Sequence, residues 1–123
     1  MTALIGIYLH IPFCKSKCPY CDFYSLTNAA GKADEYTASL ISEIGDMEDE
    51  YPSKTVDSVY LGGGTPSFLG GKRLQRIVKA VKENFNVTPD AEITVEVNPS
   101  DDVDEIFPLL SQAGVNRLSL GMQ

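Results

Sequence analysis

Four short apolar segments, separated by stretches of helical periodicity, constrain the fold of this 123-residue chain more than any other feature. The segments are 4–9, 56–61, 92–97 and 115–120, and each is rich in Leu, Ile or Val, as buried strands are. A chain of this length supports one modest domain. The sequence therefore predicts four strands within a single α/β domain.

The stretches between these segments carry apolar residues at the spacing of amphipathic helices. They predict three helices, the third less regular because Pro108 cannot donate a hydrogen bond, with Gly114 as a typical helix stop. The order β-α-β-α-β-α-β predicts parallel strands and right-handed crossovers, as in an open doubly wound sheet or a (β/α) barrel. The apolar positions are Tyr36, Leu40, Ile41, Ile44 and Met47, then Leu74, Ile77, Val78, Val81 and Phe85, then Ile106, Leu109, Leu110 and Ala113.

In both folds, ligands bind at the carboxyl ends of the strands. The glycine-rich and polar segments of this sequence collect at those ends, so we expect the functional site there. The residues concerned are Tyr8 and His10, 62–65 (Gly-Gly-Gly-Thr), Glu96 and Asn98, and 121–123 (Gly-Met-Gln).

The charge of the chain argues against nucleic acid as a partner. Its 17 acidic and 10 basic residues give a net charge of −7, and no run of Lys or Arg forms a basic stripe for a phosphate backbone. The N terminus has no basic segment ahead of its apolar residues, and no stretch reaches the roughly 18 apolar residues of a membrane span. We therefore expect a cytoplasmic protein.

Three cysteines within eight residues indicate the chemistry. Cys14, Cys18 and Cys21 form a C-x3-C-x2-C run, too compact for a disulfide framework and therefore indicative of metal or redox chemistry. Three thiolates can hold a [4Fe-4S] cluster and leave its fourth iron open, whereas an electron-transfer cluster uses four cysteines. An open iron can chelate a methionine-type ligand, whose sulfonium would then accept an electron from the reduced cluster.

Three other interpretations of the cysteines remain open. A structural Cys3His zinc site could include His10, although the second ligand pair typical of zinc fingers is not visible. The segment 18–21 (Cys-Pro-Tyr-Cys) resembles a glutaredoxin dithiol, but the glycine-rich stretch precedes 87–89 (Val-Thr-Pro) instead of following it, and Cys14 has no role. Buried structural thiols are the third interpretation, against which the polar residues 15–17 argue.

Two further features each have a structural and a functional interpretation. The stretch 62–66 (Gly-Gly-Gly-Thr-Pro) lacks the spacing of phosphate-binding motifs, so it is either a tight strand exit or a place where backbone approaches a small polar ligand. Glu96 ends an apolar strand, where a carboxylate needs a partner. That partner is either a ligand ammonium or ribose, or the side chain of Arg117.

Six motifs in chain order resemble those of the oxygen-independent coproporphyrinogen III oxidase family of radical S-adenosylmethionine (SAM) proteins. Together they span the whole chain. They are 8–14 (YLHIPFC), the cysteine run 14–21, 21–25 (CDFYS), 61–67 (LGGGTPS), 96–99 (EVNP) and 114–123 (GVNRLSLGMQ).

The resemblance implies a partial radical SAM (β/α) barrel, with about four parallel strands and three crossover helices. Residues 1–123 would be the N-terminal portion of the radical SAM core domain, and the remaining barrel strands and a C-terminal domain would be absent. It also implies that Cys14, Cys18 and Cys21 bind the [4Fe-4S] cluster. The implied SAM contacts are Tyr8, Tyr20, Gly63, Gly64, Thr65, Glu96 and Gln123.

One position distinguishes two branches of this family. The decarboxylating oxidases have a further Cys two residues after the third cluster ligand, where this sequence has Phe23. The segment 21–25 resembles the heme-chaperone branch, HemW, whose members bind heme and pass it to acceptor proteins. The resemblance thus implies heme, an acceptor protein and an electron donor as partners, with the heme site outside this chain and His10 structural. The alternative is a coproporphyrinogen III oxidase of porphyrin biosynthesis.

The cysteine spacing predicts the iron content of the protein. After anaerobic reconstitution with iron and sulfide, we expect about four irons per chain, as a cubane requires. Replacing Cys14, Cys18 or Cys21 by Ala should abolish this uptake, measured as protein-bound iron and sulfide. Full iron loading of the Cys14→Ala variant would favour the dithiol interpretation instead.

Overall fold

The computed structural model describes residues 4–11, 29–50, 55–63, 66–97 and 103–120. No helix within these ranges is long and apolar enough to cross a membrane. The elements in chain order are β1 (Leu4–Ile11), α1 (Ala29–Glu50), β2 (Thr55–Gly63), a 3-10 turn (Pro66–Leu69), α2 (Gly71–Asn84), β3 (Asn86–Val97), α3 (Val103–Ala113) and β4 (Arg117–Leu120).

The four strands form one parallel sheet whose spatial order is the chain order, β1-β2-β3-β4. Helix α1 packs against α2, and α2 packs against α3. A doubly wound sheet reverses its strand order at a switch point and has helices on both faces. Neither feature is present among the described elements, so the α/β fold is the beginning of a (β/α) barrel, and the predicted fold class is confirmed.

The hydrophobic core lies between one face of the sheet and the three helices. Successive residues of a strand point to opposite faces, and in each of the first three strands one alternate set is buried. The same cluster includes most of the predicted apolar positions of the helices, whereas Met47 is 39% exposed at the end of the α1 stripe. The strand residues of this core are Leu9, Ile11, Val56, Val59, Leu61, Ile93, Val95 and Val97.

Strands β1 and β2 continue two residues beyond their predicted ends, to Ile11 and Gly63, and strands β3 and β4 begin at other residues than predicted. Strand β3 begins at Asn86 instead of residue 92, because Asn86 and Val87 pair with the start of β2 before the register shifts. Pro89, which has no N–H for a ladder, lies in the irregular part of β3. Strand β4 begins at Arg117 instead of residue 115, because the preceding residue bonds differently: Asn116 donates its N–H to Ile93 O, and its side-chain amide bonds the backbone of β3.

Helix α3 forms despite Pro108, which lies inside it on an exposed surface. A proline within a helix removes one backbone hydrogen bond, and the buried side chains of Ile106 and Leu110 hold the helix in the core. Gly114 ends the helix at a φ of 103°, with Gly114 N–H donating to Ser111 O and Val115 N–H to Leu110 O. This pair of bonds is a Schellman cap, so the predicted stop at Gly114 is confirmed.

Truncation of Leu74, which is fully buried in α2, should strongly destabilise the protein. Leu74→Ala should lower the free energy of unfolding by about 3 kcal/mol, because it removes apolar contacts and leaves a cavity. Urea denaturation measures this change. Lys79→Ala, on the exposed side of the same helix, is the matched control and should change stability by no more than about 0.5 kcal/mol. Equal losses in the two variants would contradict this assignment of the core.

Candidate functional site

The face of the sheet opposite the helices is polar, and we call it the polar face. Its residues alternate with the buried core residues along β1, β2 and β3, and with the partly buried Leu118 in β4. The register aligns Tyr8 of β1 with Tyr60 of β2 and Tyr60 with Thr94 of β3. The polar face consists of Gly6, Tyr8, His10, Ser58, Tyr60, Gly62, Glu92, Thr94, Glu96, Arg117 and Ser119.

Glu96 is the best-anchored charged residue described on the polar face. Its Oε1 accepts a hydrogen bond from the Gly63 backbone N–H at 2.9 Å, and its Oε2 accepts one from the Tyr60 hydroxyl at 2.7 Å. Both donors belong to β2, whereas Glu96 is the penultimate residue of β3. The two bonds therefore tie the carboxyl ends of neighbouring strands together and compensate a half-buried carboxylate.

The hydrogen bond to Glu96 makes ionisation of Tyr60 less favourable than in a free tyrosine. It raises the pKa of Tyr60 above its ordinary value of 10.0, and removal of the phenol from solvent acts in the same direction. A hydrogen bond with the Ser119 side chain partly opposes this rise in pKa. At neutral pH, Tyr60 is thus a donor to Glu96.

Two aromatic rings lie side by side at this end of the sheet. Tyr8 stacks on Tyr60 with ring centroids 5.7 Å apart and an interplanar angle of 12°, and the Tyr8 and His10 ring centroids are 6.2 Å apart. Tyr8 is 57% exposed. The Tyr36 hydroxyl of α1 donates to His10 O, which attaches the end of β1 to α1.

Two glycines leave room for this arrangement. A Cβ at Gly62 would lie 2.7 Å from Tyr60 Cε1, 2.8 Å from Glu96 Oε1 and 3.0 Å from the Tyr8 hydroxyl oxygen. A Cβ at Gly63 would lie 2.7 Å from the backbone oxygen of Ile11, and Gly63 has a φ of 117° that L side chains rarely adopt. Both positions therefore require glycine. A side chain at position 62 would collide with Tyr60, Glu96 and Tyr8, and one at position 63 would collide with the β1 backbone and force an unfavourable φ.

The structure brings together three of the predicted SAM contacts, Tyr8, Gly63 and Glu96, at the carboxyl ends of β1, β2 and β3. The proposed ion pair between Glu96 and Arg117 is not formed, because Arg117 Nη1 bonds Glu92 Oε1 at 2.7 Å and both Glu96 oxygens have other donors. The remaining predicted site residues lie outside the described residues. They are Tyr20, Gly64, Thr65 and Gln123, and the cysteines Cys14, Cys18 and Cys21.

Sequence reasoning missed Tyr60, which it assigned only to an apolar strand. The signal that could have identified it is its position two residues before Gly62. Alternation places these two residues on one face, opposite the core residue Leu61. A tyrosine on the face that carries Glu96 has a polar partner within reach, whereas one on the core face would need a buried partner for its hydroxyl.

A model of the radical SAM superfamily matches residues 8–123, nearly the entire sequence. The chain belongs to the radical SAM superfamily. The match begins at Tyr8 and includes all three cysteines as well as Glu96.

Curated relatives of this radical SAM chain carry two different names. The heme chaperone HemW of Mycobacterium tuberculosis (strain H37Rv) is 42% identical over 121 residues, which cover 96% of this chain and 31% of the relative. The heme chaperone HemW of Escherichia coli (strain K12) is 37% identical, with 97% and 32% covered. The oxygen-independent coproporphyrinogen III oxidase of Escherichia coli (strain K12) is 36% identical, with 97% and 26% covered. The chain thus spans about a third or less of the length of these relatives.

A solved structure has the same architecture as this radical SAM chain. Coproporphyrinogen III oxidase (HemN) from Escherichia coli, described as a radical SAM enzyme, superposes with a TM-score of 0.84 at 36% sequence identity. The superposition covers 99% of this chain and 28% of that structure.

The site geometry predicts that Gly63 tolerates no side chain. Gly63→Ala should lower the free energy of unfolding by about 3 kcal/mol, since it combines an unfavourable φ with a backbone clash. Gly70, with a φ of 87° and no atom within 4 Å of where a Cβ would lie, provides the matched control. Gly70→Ala should cost roughly 1–2 kcal/mol from backbone strain alone. Urea denaturation of both variants tests this, and equal losses would show that the close approach of Gly63 to β1 is unimportant.

Proposed function

We propose that this chain supplies part of the SAM site and the cluster-binding cysteines of a heme chaperone-like radical SAM protein. The geometric support is the junction of Gly63, Tyr60 and Glu96 at the carboxyl ends of parallel strands, where ligands of such folds bind. In this proposal, residues 1–123 are the N-terminal portion of the radical SAM core domain. The remaining strands and a C-terminal domain belong to the rest of the parent protein.

The described residues fit a small zwitterionic ligand such as SAM. Without a Cβ at Gly62, the Glu96 carboxylate and the Tyr8 hydroxyl remain open to a ligand that approaches the polar face. Glu96 would accept hydrogen bonds from amino or ribose hydroxyl groups, because each carboxylate oxygen retains an acceptor site after bonding Gly63 or Tyr60. The full proposed set of SAM contacts is Tyr8, Tyr20, Gly63, Gly64, Thr65, Glu96 and Gln123.

Cys14, Cys18 and Cys21 would hold the [4Fe-4S] cluster beside this site, since they follow β1 directly in sequence. When bound, such a cluster would supply one electron to SAM through its open iron. The contribution of the chain is to orient the cofactor: β1 delivers the cysteine segment and Tyr8, while β2 and β3 deliver the glycines and Glu96.

Phe23 supports the heme-chaperone assignment over the oxidase assignment. By the family resemblance, the decarboxylating oxidases carry a Cys at this position, which this sequence lacks. Relatives named heme chaperone HemW also reach 42% identity, against 36% for the oxidase of Escherichia coli. We propose a cytoplasmic parent protein that binds heme outside this chain, passes it to an acceptor protein and receives electrons from a separate donor.

The second candidate function is oxidative decarboxylation of coproporphyrinogen III. It is favoured by the oxidase relative at 36% identity and by the structural likeness to HemN. An oxidase with Phe23 would have to work without the thiol that the decarboxylating oxidases carry at this position.

One experiment separates the two functions. We expect the anaerobically reconstituted full-length parent to bind heme, measured by absorbance titration, and to produce no protoporphyrinogen IX from coproporphyrinogen III. Phe23→Cys alone should leave turnover undetectable, because misplacement of a substrate by about 1 Å can cost on the order of a hundredfold in rate. Decarboxylation by the wild-type protein would refute the chaperone assignment. Activity gained only in the variant would show that the thiol itself decides the branch.

A further inference from the structure

We propose that Tyr60 is a positioning residue that fixes the orientation of the Glu96 carboxylate for SAM binding, an inference that rests on the proposed function above. Tyr60 lies outside the motifs that indicated the cofactor site. It contacts two of the proposed SAM contacts at once, Glu96 through its hydroxyl and Tyr8 through its ring.

The hydrogen-bond pattern supports this role for the Tyr60 hydroxyl. The terminal torsion of a glutamate side chain is soft, so a carboxylate held through one oxygen can still rotate. Glu96 is held through both oxygens, by Gly63 N–H on Oε1 and by Tyr60 on Oε2. Loss of the Tyr60 bond would leave one donor and free the plane of the carboxylate.

The position of the Tyr60 ring is itself restricted. One face stacks on Tyr8, and Cε1 lies 2.7 Å from where a Cβ of Gly62 would be. The ring therefore needs glycine at position 62, and the stack limits rotation of the phenol away from Glu96. A donor fixed before the ligand arrives reduces the ordering cost of binding.

The hydroxyl is also in the correct protonation state. A phenol with the ordinary pKa of 10.0 is already protonated at neutral pH, and the bond to Glu96 raises the pKa of Tyr60 further. The other groups facing it are Tyr8 from β1 and Ser119 from β4.

Tyr60→Phe tests the proposal, because it removes the hydroxyl and keeps the ring that stacks on Tyr8. In the anaerobically reconstituted full-length protein, we expect the Kd for SAM to rise about three- to tenfold, because SAM binding must then order a carboxylate that Tyr60 otherwise fixes in advance. Calorimetric titration with SAM measures the Kd. The iron content should remain at the wild-type value. The SAM-dependent change in the electron paramagnetic resonance spectrum of the reduced cluster should require correspondingly more SAM.

Thr37→Val is the matched control. It removes another hydroxyl, the buried one that donates to Ala33 O within helix α1, away from the polar face. We expect the Kd for SAM to change less than about twofold in this variant. A comparable rise in both variants would show that the effect of Tyr60→Phe is a general loss of stability, and would overturn the proposal.

A double-mutant cycle shows whether Tyr60 acts through Glu96. In a Glu96→Ala background, adding Tyr60→Phe should weaken SAM binding no further. Additive losses would overturn the positioning role, as would wild-type affinity in Tyr60→Phe alone. Absence of SAM binding by the reconstituted wild-type protein would instead overturn the proposed function itself, so the two failures are distinguishable.

Discussion

Apolar packing between one face of the parallel sheet and helices α1, α2 and α3 is the interaction upon which the rest of the structure depends. Leu61 and Val95, in the two central strands, are fully buried there, as is Leu74 of α2. Because strand residues alternate between faces, burial of this set assigns the intervening residues to the other face. The position of Tyr60 and Glu96 thus follows from the packing of their neighbours, and a register slip of one residue would bury Glu96 instead.

The second constraint is electrostatic and acts at the carboxyl ends of the strands. A half-buried carboxylate such as Glu96 is unfavourable unless donors replace its lost hydration. Gly63 and Tyr60 provide those donors from β2, so the charge is satisfied before any ligand binds. The exposed pair of Arg117 and Glu92 differs in kind, because its side chains are 62% and 57% exposed and such pairs contribute little.

The sequence was sufficient to predict the α/β class, the parallel strands and the proximity of Tyr8, Gly63 and Glu96 at one end of the sheet. Periodicity identified the strands and helices, but it could not locate the start of β3, where Asn86 and Val87 pair with β2 through an irregular register. Periodicity also gave only a weak indication of the third helix. That helix forms because packing of Leu110 in the core offsets the hydrogen bond that Pro108 cannot make. The choice between a barrel and a doubly wound sheet depends on strand order, which local patterns do not encode.

For the site, the sequence predicted individual residues better than their partners. Glu96 was identified as a carboxylate in need of a partner, yet two partners were weighed and neither was Tyr60. Which donor reaches Glu96 depends on the registers of three strands and on the space left by Gly62, and these are properties of the assembled sheet. The cysteines show the opposite case, since their spacing alone indicates metal or redox chemistry, whereas the residues themselves lie outside the described ranges.

The separation of the two faces also bears on how such a scaffold can change over evolutionary time. Exposed residues of the polar face, such as Tyr8 and Arg117, contribute little of the apolar burial that stabilises the domain, so replacing one of them alters chemistry at low cost in folding free energy. Core positions such as Leu74 lack this freedom. A fold divided in this way can accommodate diverging activities on its polar face, while substitutions in its core are poorly tolerated. In agreement with this, two relatives that are 37% and 36% identical to this chain are named a heme chaperone and an oxidase.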